Sequence, residues 1–85
     1  MNSSQILPAI KQMITEGNVD LALTRLIEFL DSDPVYAELT PIARINQADL
    51  YQNKAALLKG TISTEDHRLV ANQVTDKVLQ IISQI

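Results

Sequence analysis

No cysteine occurs among the 85 residues, which excludes disulfides and thiolate metal sites and removes any pointer to an oxidising compartment. Tryptophan is absent too, and the aromatics are Phe29, Tyr36 and Tyr51 alone. The hydrophobic content, 46%, is therefore carried by Leu, Ile, Val and Ala, side chains that fill helical interfaces in well-defined rotamers. No segment approaches the ~18 consecutive apolar residues that a membrane span requires. The opening MNSSQILPAIK has no positive n-region and its apolar stretch is broken by Pro8, so a secretory signal is not expected. The expected location is the cytoplasm, with no membrane partner.

Reactive groups are equally scarce. There is one histidine, His67, beside Asp66 and within a turn of Ser63. A Ser, His and Asp set within one capping turn does not make a triad, because the serine is expected to be engaged with the helix N-terminus, with no aligned base behind it and no oxyanion site ahead. Asp31-Ser32-Asp33 offers too few oxygens for a hard cation and reads as a helix stop before Pro34. The two glycines, Gly17 and Gly60, are isolated helix-end residues and not a phosphate loop. With a net charge of −3 and scattered Lys and Arg, the overall field opposes nucleic acid. The expectation is no enzyme, no cofactor and no metal.

The length allows one domain, residues 1–85, and domains this small often gain stability from a neighbour or a second copy. The initial methionine leads us to expect that it opens its polypeptide or stands alone. Four helical segments are legible. The first spans about Ser4 to Glu16, capped by Ser3 or Ser4 and stopped by Gly17, with Ile6, Leu7, Ile10 and Ile14 inward and Met13 alongside. The second starts at the N-cap Asn18 and ends before Pro34; Val19, Ala22, Leu23, Leu26, Ile27 and Leu30 make one continuous stripe.

The third is read from Tyr36 to Lys59, with Pro41 in a first turn or at a kink and a break near Thr40 as the other way to place it. Two stripes coexist there: Ala43, Leu50 and Leu57 on one side, and Ile45, Ala48, Tyr51, Ala55 and Leu58 on another. That predicts a central helix packed against more than one neighbour. Gly60-Thr61-Ile62-Ser63 is a helix-to-helix turn, with Ser63 capping a fourth helix that runs to the C-terminus. Its seam is Ala71, Val74, Val78, Ile81 and Ile85, flanked by Val70, Leu79 and Ile82. The predicted fold is all-α, a small antiparallel four-helix bundle with a long C-terminal α-hairpin.

Charge is unevenly spread. Residues 16–38 hold six acids against Arg25 alone, a balance of −5, while residues 39–85 balance at +1. Such asymmetry either steers association between modules or reflects ordinary solvated helix faces, the commoner case. As interaction sites, acidic Asp20, Glu28 and Asp31 are expected to meet basic Arg44, Lys54, Arg68 or Lys77 of a partner.

The helix VDLALTRLIEFL, the turn KGTISTED and the closing NQVTDKVLQIISQI occur in that order between Val19 and Ile85. In this combination the stretch resembles the effector-associated domains of bacterial conflict systems, most closely the type numbered eleven. The last segment resembles that family's Asn-x-Ile/Val-x-x-x-Leu/Val-Leu-x-Leu/Ile-Ile ending. Where members carry an Arg-aromatic-Asn-like stretch ahead of the turn glycine, this chain has Asp49-Leu50-Tyr51; the similar-looking Ala43-Arg44-Ile45-Asn46 lies further upstream. The resemblance implies a death-like adaptor without catalytic residues, coupling proteins by homotypic or paired heterotypic association. Implied partners are related domains fused to protease, TIR or nucleotide-switch effectors, often in anti-phage defence, with a homo-oligomer among the outcomes. The alternative left open by the residues is a structural, dimerising helical subunit of a larger assembly.

Overall fold

A computed structural model describes the backbone from Ser3 and the side chains from Gln5 to Ile85; the expected cap at Ser3 or Ser4 lies outside the described side chains. The described residues form four helices and no strand: α1 (Ser3–Thr15), α2 (Val19–Asp31), α3 (Thr40–Lys59) and α4 (Thr64–Ser83), with a short 3-10 turn at Pro34–Tyr36. None of the helices is long and apolar enough to cross a membrane.

Both glycines end helices, for one physical reason. Gly17 and Gly60 adopt positive φ, 83° and 76°, which costs a residue without Cβ nothing. In that conformation the glycine's own N–H and the one after it return to orphan carbonyls: Gly17 N donates to Ile14 O and Asn18 N to Met13 O, and Gly60 N to Leu57 O and Thr61 N to Ala56 O. Asn18 stands at the N-cap position of α2 as expected, its carbonyl accepting from Ala22 N at 2.9 Å, but without the expected side-chain cap. With its backbone N–H spent on α1 and its φ and ψ at −94° and 58°, Asn18 is not in the extended conformation of a capping residue, and its side chain makes no cap hydrogen bond. Ser63 is extended and does cap α4, its hydroxyl accepting from Asp66 N at 3.1 Å.

The third helix starts at Thr40 and not at Tyr36. Pro41 takes a first-turn position, where its missing N–H is harmless, and the preceding residues are drawn into the separate 3-10 turn capped by Asp33, whose carboxylate accepts from Val35 N at 3.1 Å. Tyr36 thereby folds back onto α2, its ring centroid 5.3 Å from that of Phe29. Phe29 is buried as a result, although it lies off the stripe expected for α2.

The core sits around α2. Ala22, Leu23, Leu26 and Leu30 are at most 1% exposed, and α2 packs against α1, α3, α4 and the 3-10 turn. Ile10 of α1, Ala43 and Leu50 of α3, and Val74, Val78, Ile81 and Ile82 of α4 complete it. The central helix is thus α2, correcting the expectation for α3. Only Ala43, Asn46 and Leu50 of α3 are buried, while the stripe of Ile45, Ala48, Tyr51, Ala55 and Leu58 faces outward. A helix in a four-helix chain of this size can find neighbours for one broad face; α2 and α4 take that face, and nothing in the described chain is left to cover the other.

Candidate interaction surface

α2 and α3 run in opposite directions, and ion pairs mark both ends of their seam. Lys54 Nζ lies 2.6 Å from Asp20 Oδ2 near the start of α2, and Arg44 Nη2 lies 2.6 Å from Asp31 Oδ2 at its end. Between them Gln47 Nε2 donates to Thr24 Oγ1 at 3.3 Å. The residues expected to recognise a partner are therefore largely engaged within the chain. Asp20 pairs with Lys54 and Asp31 with Arg44, while Glu28 pairs with Arg25 of its own helix and Arg68 with Glu65. Opposite charges from the acidic front and the basic rear do meet, but across α2 and α3 of one molecule. Lys77 stands apart, without an ion pair among the described residues, on the groove between α3 and α4 beside Asp49, Gln52 and Gln73.

Asp20 is held below the usual carboxylate range, chiefly by the hydrogen bond from Lys54 and against a smaller opposing effect of burial. A lowered folded-state value contributes stability that is complete above the unfolded carboxyl's range and is lost as pH falls through the folded value. Both side chains are more than a third exposed, so solvent screens most of this. Lys54→Met is expected to cost less than about 1 kcal/mol at neutral pH. Comparing thermal midpoints of the two proteins at neutral and acid pH checks it: the difference should vanish below the carboxylate range, and a difference growing toward acid would refute the assignment.

His67 turns toward α3 and away from Ser63. Its Nδ1 lies 2.6 Å from Asn53 Nδ2, which also donates to the His67 carbonyl at 3.2 Å. Ser63 is occupied in capping and His67 in tying the start of α4 to α3. Among the described residues no group of His, Asp or Glu is arranged to hold a metal ion.

What remains at the surface is apolar. Leu58 is 88% exposed, Ile45 62% and Tyr51 54%, all on the outward side of α3. A shallow cleft of about 380 Å³ lies at the other end of the α2–α3 seam, walled by Leu30, Pro34, Ala37 and Pro41 with the Asp31–Arg44 pair at its edge. The stripe is legible in the sequence but its outward position is not, because spacing alone says that a face is apolar and not whether the same chain covers it. The 3-10 turn that builds the cleft left no periodic signal at all.

A chain whose described residues form four helices, with ion pairs joining two of them and apolar side chains left outward on one, is in its class a small helical domain. It belongs to the family of effector-associated domain 11, whose family model matches residues 5–85. No curated protein and no solved structure matches it.

Proposed function

We propose that this chain is a protein–protein interaction adaptor of a bacterial conflict system, recruiting or coupling effectors by homotypic or paired heterotypic association. In this reading residues 1–85 are a single death-like domain in the cytoplasm, a small antiparallel bundle ending in a long α-hairpin. Its partners are related domains attached to protease, TIR or nucleotide-switch effectors in anti-phage defence, and the domain itself carries no catalytic step. The observation that carries the reading is family membership across residues 5–85. The outward apolar side chains of α3 support it, since exposed Leu, Ile and Tyr on one helix face mark interaction surface more often than chance exposure. The paired charges shift the expected recognition away from Asp20, Glu28, Asp31, Arg44, Lys54 and Arg68 and toward that apolar face, with Lys77 beside it.

The test is association of the purified chain with itself and with helical domains of the same family from its own genome, read by light scattering and by co-purification. Capture of at least one is the expected result. A chain that stays monomeric at high concentration and captures neither a copy nor a relative would end the adaptor reading.

A further inference from the structure

Asn46 is the buried polar residue of the described chain, 3% exposed on the side of α3 that also buries Ala43 and Leu50. Its Nδ2 donates to Ile42 O at 2.9 Å, and because a carbonyl only accepts, this fixes which way the amide points. Oδ1 is left with no hydrogen bond among the described residues, although buried oxygens are as a rule satisfied. The oxygen is not sealed in, since no enclosed side-chain polar atom among the described residues lacks a partner. It opens on a recess of about 310 Å³ that Asn46 walls together with Ile42, Ile45, Lys77 and Gln80, where the start of α3 lies beside the end of α4.

The walls specify what the recess can hold. Ile42 and Ile45 are exposed and offer aliphatic surface. Lys77 is exposed and makes no ion pair among the described residues, not even with Asp49 in the adjoining groove, so its ammonium is open to an incoming carboxylate. A bare anion does not fit, because Oδ1 presents a lone pair and repels an oxygen that brings no hydrogen. A basic group meets Lys77, and a purely apolar one leaves both Oδ1 and the ammonium unpaired. An N–H donor, a carboxylate and an aliphatic side chain are supplied together by a peptide in which Asp or Glu stands next to Leu, Ile or Val.

We infer that the recess between α3 and α4 is a binding site for an acidic and aliphatic peptide segment of a partner protein, with a carboxylate of that segment on Lys77 and one of its N–H groups on Asn46 Oδ1. This rests on the adaptor reading and names the part of the partner that the site takes.

A library of short random peptides, displayed and selected on the full chain, provides the test. Selected sequences should be rich in Asp or Glu beside aliphatic residues. The tightest of them, synthesised and titrated, should shift the nuclear magnetic resonance signals of Asn46, Lys77 and Gln80 while leaving Leu30 and Ala37 of the other cleft in place. Lys77→Glu should weaken that peptide at least about tenfold. Asn46→Leu, which keeps the size of the side chain and removes its oxygen, should do the same with helical circular dichroism unchanged. An Asn46 that serves the fold alone would instead lower the melting curve and leave affinity untouched. Should Asn46→Leu not fold, Ile45→Glu at an exposed position sets a carboxylate at the recess and should weaken the peptide to a similar degree. No selected peptide, selected peptides without acids, affinity indifferent to these substitutions, or shifts confined to the other cleft would each overturn the inference. If the chain then still captures a related domain, the adaptor reading stands without this site. If it captures neither peptide nor domain, both fall.

Discussion

Leu26→Ala should cost the folded chain about 3 kcal/mol, lowering the thermal midpoint by roughly 15 °C. Leu26 is fully buried in α2, the helix that packs against every other element. Truncation removes the transfer free energy of the lost carbons and leaves a cavity in the shared core, which closes only if packed helices move. Total stability for a chain of this size is about 5–15 kcal/mol, so one substitution consumes a large share. Chemical denaturation followed by circular dichroism measures it. The control is Leu58→Ala on α3, a deletion of the same size at a side chain 88% exposed, which should leave stability within about 0.5 kcal/mol of wild type. Equal losses at the two positions would mean that α2 is not the centre of the core.

Phe29→Ala should be nearly as damaging, about 3 kcal/mol, for a different reason. Phe29 is covered because Tyr36 of the 3-10 turn lies over it, the rings tilted by 33° with centroids 5.3 Å apart. Removing the ring takes away both a core side chain and the platform that holds the turn against α2. Tyr36→Ala should cost less, because Tyr36 is only half-buried. A double-mutant cycle between the two should return a coupling of about 1 kcal/mol, the worth of an aromatic pair beyond its buried area. Additive losses would show that the ring contact contributes nothing of its own and that the turn is held by its cap at Asp33.

The helices were largely legible from spacing and punctuation. Ala22, Leu23, Leu26, Ile27 and Leu30 recur at three and four, and they are the buried side of α2. Val74, Val78 and Ile81 do the same for α4, and the Ser63 cap is where a serine ahead of two acids places it. The boundary of α3 was harder, because a proline is acceptable both in a first turn and at a kink, and only the backbone shows that the chain chose the first. Asn18 holds the N-cap position without a side-chain cap bond. Its side chain suits a cap, but its backbone was committed to closing α1. Which charges meet was the least legible: acidic and basic residues far apart in the chain are joined by folding, Asp20 to Lys54 and Asp31 to Arg44.

Periodicity and capping residues determined from the sequence alone that this protein is helical, and composition alone that it holds no thiol. Those properties are local or compositional, and each residue carries them wherever the chain goes. Which helix lies at the centre, which charges are spent on one another and which apolar stripe stays uncovered were decided only by the tertiary structure. The reason is that burial is a property of neighbours: α2 and α3 both offered apolar faces, and α1, α3 and α4 packed around α2 covered it while the far side of α3 was left to the solvent.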